Sequence, residues 1–132
     1  MSPAARLRAV SPILLVADVT RAATYYENAL GFTPLGMWGD PPQFCISKRD
    51  ELEIMLNQVD SGDVIHPNSN YDGRFSVYFT VEEVDALFDE LRAKGADIVC
   101  EPEDQVYGMR EFQVRDPDGH LLAFGQLAGG AA

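Results

Sequence analysis

The sequence predicts an α+β fold of two successive βαβββ modules, whose curved mixed sheets form an open cleft. Three observations carry that expectation. Short stretches rich in β-branched and aromatic residues surround only two stretches of helical periodicity. The run from Val16 to Gly31 is matched by the run from Val81 to Gly95, each passing from an apolar strand end through an acidic cap and a helix to a glycine. The offset between the two halves, 65 positions from Val16 to Val81, is longer than solenoid periods and describes a duplicated module. At 132 residues and 46% hydrophobic content, the chain is one domain with enough apolar surface for a core.

Taken in order, residues 8–16 (RAVSPILLV) read as a strand that becomes fully apolar. Residues 18–30 read as a helix, with Ala22, Ala23, Tyr26, Ala29 and Leu30 at spacings of three and four, and Gly31 supplies the stop. Strands follow over 32–38, 43–47 and 52–57, separated by the turn residues Gly39-Asp40-Pro41-Pro42 and by the charged Lys48-Arg49-Asp50. Module one thus spans about residues 8–58, and a polar loop over 59–73 leads to module two, about 74–126. There, residues 75–81 form a strand. Residues 83–94 form the clearest helix, with Val84, Leu87, Phe88 and Leu91 on one face and a Thr80-x-x-Glu83 capping box at its start. A strand over 96–100, an acidic loop over 101–106 and a strand over 111–115 come next. The Asp116-Pro117-Asp118-Gly119 turn and a strand over 120–126 complete the module, leaving residues 127–132 as a loose tail.

Composition excludes several classes of function. Ten Lys and Arg against 21 Asp and Glu give a net charge of −11, with −8 of it in residues 67–132. Such a surface repels phosphate backbones, so nucleic acid is not an expected partner, whereas a small cation is attracted. No apolar run approaches the length of a membrane helix, and Arg6 and Arg8 have no apolar stretch behind them, so neither a membrane span nor a secretory signal is expected. A cytoplasmic protein is the expectation. Cys45 and Cys100 lack metal-finger or redox spacing and lie in strand-like runs, which predicts two buried, reduced thiols.

The paired modules, the string Val16-x-Asp18 with Tyr26, Leu30, Gly31 and Phe32, and the D-P-D-G-H stretch at 116–120 together resemble the vicinal oxygen chelate superfamily of glyoxalases, bleomycin-resistance proteins and extradiol dioxygenases. The resemblance covers about residues 8–126 and implies a glyoxalase-like fold. It also implies a divalent metal held by four strand positions in the enzymes of the family. Those positions carry Ser11, Met55, Ser76 and Ala123 here. A thioether, a methyl group and two neutral hydroxyls are not ligands for a hard divalent metal. No metal and no cofactor are therefore expected, and the metal-dependent activities lose their chemistry.

Glu111 is the remaining chemical group of interest. Register counted from the 116–119 turn places it on the cleft side of its strand, where it could serve as a general base or bind a ligand's cation; pairing with Arg110, Arg115 or another arginine is the structural alternative. Glu53 shares the parity of Met55. His120 reads as a turn-end structural residue and His66 as a loop histidine. Trp38, Phe44, Tyr78 and Tyr107 are aromatic candidates for the cleft wall, beside Ser11, Met55, Ser76 and Ala123. Three functions fit. One is a metal-free binding protein resembling the bleomycin-resistance members, sequestering a cationic or aromatic ligand as an antibiotic-resistance device. Another is a metal-independent isomerase or lyase on a small carbonyl compound with Glu111 as general base. The third is a module with no cleft ligand. Whether the chain is an enzyme stays open at this point. The resemblance also implies a homodimer, sometimes formed by module exchange.

Overall fold

Asp18 stands in an extended conformation and its carboxylate accepts from the Arg21 N–H at 3.1 Å, which starts helix α1 (Val19–Leu30). Gly31, at φ 76°, closes it in the left-handed conformation that a side chain would disfavour. A computed structural model describes residues 4–130 of the chain. In it, strand β1 (Ile13–Val16) precedes α1, and β2 (Thr33–Trp38), β3 (Phe44–Arg49) and β4 (Leu52–Gln58) follow. The second half repeats the order with β5 (Val77–Thr80), α2 (Val84–Ala93), β6 (Asp97–Asp104), β7 (Met109–Arg115) and β8 (Leu121–Leu127). Each half makes its own four-stranded mixed sheet, ordered β1-β4-β3-β2 and β5-β8-β7-β6, with the first and last strands of each module parallel.

Alternation along the strands divides each sheet into a helix-covered face and an open face. Leu14, Val16, Cys45, Ile54 and Leu56 are buried against α1, while Phe79, Phe112, Val114, Leu122 and Phe124 are buried with Val84, Phe88 and Leu91 of α2. Six rings run through this core in unbroken contact. Tyr26 meets Phe32 at 6.2 Å, Phe32 meets Phe79 at 5.8 Å across the module boundary, and Phe79 stacks on Phe124 at 4.8 Å. Phe124 stacks on Phe112 at 5.1 Å, and Phe112 meets Phe88 edge-on at 5.4 Å. The two modules therefore share one core.

The D-P-D-G-H turn joins them on one side. Asp116 is buried; one carboxylate oxygen accepts from the Tyr26 hydroxyl at 2.7 Å and the other from the Asp118 and His120 N–H groups at 2.9 Å. The Ala17 N–H donates to Asp118 at 2.9 Å, and His120 places Nε2 2.7 Å from the Leu15 carbonyl. Next to Tyr26, Tyr25 donates to the Arg115 carbonyl and accepts from the Asp97 N–H. Burial raises the Asp116 carboxyl above its ordinary value, although the Tyr26 hydroxyl and the two amides favour its charged form.

Several boundaries differ from the sequence reading. Residues 8–12 are not strand: β1 begins at Ile13, after the Pro12 carbonyl has accepted from the Met55 N–H. Lys48 and Arg49 continue β3, and the chain turns only at Asp50-Glu51, with Asp50 at φ 53°. The acidic stretch after Cys100 is strand through Asp104, because irregular pairing with β7 accommodates Pro102. Cys100 is exposed rather than buried, since its place beside these irregularities removes it from the core face; both thiols are free.

The capping box at Thr80 and Glu83 does not form. The first N–H of α2 instead donates to the Gln126 side chain at 2.5 Å, from the end of β8. Gln58, at the end of β4, does the same for the Val19 N–H at 2.9 Å. Replacing either glutamine with alanine removes one helix-start acceptor. Urea unfolding of Gln58→Ala and Gln126→Ala is expected to show losses of about 1 kcal/mol each, additive in the double variant because the two caps share no partner.

Asp116 generates a pH prediction. A carboxyl raised on folding adds stability below its ordinary value of 3.8, and that contribution fades as pH rises through the raised folded value. The urea midpoint of wild type relative to Asp116→Asn is therefore expected to fall as pH climbs through this acidic window. A constant difference between the two proteins would contradict it.

Candidate functional site

The open faces carry the residues of interest. On the first sheet, ladder pairing of Ile46 with Met55 and of Phe44 with Asn57 puts Phe44 and Met55 on the side away from α1. Trp38 pairs with Phe44 at the sheet edge, their rings 5.9 Å apart, and the Trp38 ring folds back over Gly36. Ser11 shares the parity of Ile13 and is half-buried just before β1. Glu53 lies on this face opposite Lys48 in the β3–β4 ladder.

On the second sheet, Glu111, Tyr78 and Tyr107 come together. Glu111 is 2% exposed although it lies on the open face, because the two tyrosines cover it. The Tyr107 hydroxyl donates to Oε1 of Glu111 from the turn before β7. Oε2 has no hydrogen-bond partner among the described residues. A buried carboxylate oxygen without a donor is costly. Arg110 does not pair with Glu111: it points to the helix side, where it bridges Asp85 and Asp104 at 3.0 and 3.3 Å.

Gly125 explains how Tyr78 reaches this place. A Cβ there would collide with the Tyr78 hydroxyl and lie 2.9 Å from its ring carbon Cζ and 3.2 Å from the Glu111 Cβ. The missing side chain lets the tyrosine lie along β8, beside Glu111. Gly125 is not among the residues singled out from sequence, although an isolated glycine inside a strand is a signal of close approach. The Tyr78 hydroxyl is pushed up to about 12, by loss of solvent first and by the Glu111 carboxylate second.

The other candidates make no side-chain hydrogen bond to this cluster among the described residues. Ser76 Oγ lies 3.3 Å from Nδ1 of His120, so that serine belongs to the clamp between modules. Ala123 is fully buried, paired between Tyr78 and Gln113, and offers a ligand no surface. His66 is exposed in the loop before Pro67. No ring contact or hydrogen bond joins the Trp38–Phe44 pair to the Glu111 cluster among the described residues.

These positions do not fit the divalent metal of the enzymes that share the fold. Ala123 brings no donor atom, Ser76 is committed to His120, and Met55 offers only a thioether. Among the described residues no group of three or more His, Cys, Asp or Glu is arranged to hold an ion. The chemistry open to the site is that of Glu111: accepting a donor, holding a positive charge or taking a proton.

Spectrophotometric titration of wild type minus Tyr78→Phe is expected to place the Tyr78 ionisation near 12. Glu111→Gln should lower it only in part, because burial, the larger cause, persists. A return to the ordinary value near 10 would make the carboxylate the larger cause instead.

Comparison with known proteins places this geometry in context. The profile of the glyoxalase/bleomycin resistance protein/dioxygenase superfamily matches residues 7–124. An uncharacterised protein of Mycobacterium bovis is 33% identical over 125 residues, covering 89% of this chain and 82% of its own length. Among solved structures, a bleomycin-binding protein in complex with bleomycin superposes with a TM-score of 0.72 at 22% identity, over 91% of this chain and 98% of its own. A glyoxalase-related enzyme from Clostridium phytofermentans superposes at 0.73 with 17% identity, over 96% and 99%. At these identities the structural likenesses establish the fold. The matched profile, which spans most of the chain, makes it a member of the glyoxalase/bleomycin resistance protein/dioxygenase superfamily.

Proposed function

We propose that this protein is a metal-independent small-molecule binder that sequesters a cationic or aromatic ligand on the open face of its second sheet, acting as a cytoplasmic homodimer. One observation carries the reading. Oε2 of the buried Glu111 carboxylate accepts no hydrogen bond among the described residues, while the Tyr78 and Tyr107 rings stand over the group. An ammonium or guanidinium group satisfies that oxygen, and its apolar body packs against the rings. The net charge of −11 raises the local concentration of such a ligand. The donor-poor set Ser11, Met55, Ser76 and Ala123 favours binding without a metal. Homodimer formation is supported by the exposed apolar side chains Ile13, Leu15 and Trp38 on the open face and edge of the first sheet.

The bare oxygen of Glu111 also supports a second reading, an isomerase or lyase in which it removes a proton beside a small carbonyl group. Solvent deuterium incorporation into such a compound, lost in Glu111→Gln, would identify it.

The binding reading is tested by thermal melting with bleomycin as the first probe. The melting temperature is expected to rise with bleomycin and to be unaffected by a chelator. Glu111→Gln is expected to weaken binding by about 2 kcal/mol, roughly thirtyfold. Unchanged bleomycin binding in that variant, or one divalent metal retained per chain after desalting, would overturn it.

A further inference from the structure

The two hairpins that close the modules are not equal. In module two, residues 116–120 stay outside the β7–β8 ladder and fill the junction against α1. In module one the β3–β4 hairpin turns at Asp50-Glu51, and the Arg49 side chain reaches the opposite helix, pairing with both oxygens of Glu90 at 2.8 and 3.0 Å. The junction is therefore filled on one side of the molecule, while the other holds a groove of about 630 Å³. That volume lies within the range of roughly 300–1,000 Å³ common to small-molecule sites.

The floor of this groove is the aromatic core, reached through Phe32, Phe79 and Phe124, with Leu52 and Leu87 on its walls. Its rim carries Asp50, Glu51, Glu82 and Glu83. Arg49 and the neighbouring Lys94 are both engaged with Glu90, and Arg49 reaches Asp50 at 3.8 Å. No ion pair involves Glu51, Glu82 or Glu83 among the described residues. An apolar floor beneath uncompensated carboxylates complements one class of occupant: an organic cation with its charge at one end and an aryl or alkyl body at the other.

We infer that the groove between the β3–β4 hairpin and the start of α2 is a second ligand site, separate from Glu111, that takes a small amphiphilic amine. The amine lies at the rim between the hairpin acids and Glu82, and the apolar body rests against Leu52 and Leu87 above the buried phenylalanines that line the groove. The ligand occupies the volume that residues 116–120 fill at the other junction.

The test uses the full chain, labelled with ¹⁵N, and phenethylamine as the probe. Millimolar phenethylamine is expected to shift the backbone amides of Leu52, Thr80 and Leu87, with 2-phenylethanol and 3-phenylpropionate shifting them far less. Glu51→Gln combined with Glu82→Gln, both exposed and free to be replaced without harm to the fold, is expected to weaken binding about two- to fivefold. Ala86→Trp, which fills the groove from the exposed side of α2, is expected to abolish it. Shifts confined to Tyr78, Tyr107 and Gly125, equal binding of 2-phenylethanol, or full binding by the Ala86→Trp protein would overturn the proposal. So would groove shifts that grow with protein concentration alone, since another copy of the chain would then be the occupant.

Discussion

The buried carboxylate of Asp116 is the constraint on which the arrangement of the two modules depends. It sits in a turn of module two, yet it takes the Tyr26 hydroxyl from a helix of module one. Its own turn is held by the same group through two amides, so the shape of the loop and its docking are one event. His120 and Asp118 extend the contact to the backbone at Leu15 and Ala17, either side of the last residue of β1. With all these donors present the burial of a charge is tolerable; with Tyr26 removed it would not be. The continuous file of rings from Tyr26 to Phe88 then supplies the apolar part of the same junction.

Much of this architecture can be read from residue order. The two helices, their faces and the glycine after α1 follow from periodicity and from the conformational freedom that Gly31 provides. The repeat announces two sheets. What the sequence conceals lies in contacts between segments distant along the chain. Thr80 and Glu83 have the spacing of a capping box, but Gln126, 42 positions beyond Val84, takes the amide instead. Pro102 and the acids around it read as a loop, and pairing with β7 makes them strand. Local propensity in both cases yields to an available tertiary partner.

The site divides along similar lines. Register from the 116–119 turn, the family's strand positions and aromatic character single out Glu111, Met55, Phe44 and Tyr78, and the ladders set these four away from the helices. Parity cannot tell which of them touch, and so Ser76 turns out to serve His120, while Ala123 is sealed beneath its neighbours. Nor does it reveal that Tyr78 lies against Gly125, because that depends on an atom the glycine lacks. The same device recurs in module one, where Trp38 lies over Gly36. Each sheet thus has one glycine whose missing side chain makes room for an aromatic ring, Gly36 for Trp38 and Gly125 for Tyr78.

The paired glutamines carry a consequence for the order in which the chain acquires structure. Gln58 trails Val19 by 39 positions and Gln126 trails Val84 by 42. Each helix is therefore complete only after the last strand of its own module has joined the sheet. During synthesis the α1 segment leaves the ribosome before Gln58 does, so the Val19 N–H can meet this acceptor only after β4 has followed. A chain that stops before Gln58 lacks the acceptor of the Val19 N–H, whereas one that runs past it carries both ends of that contact.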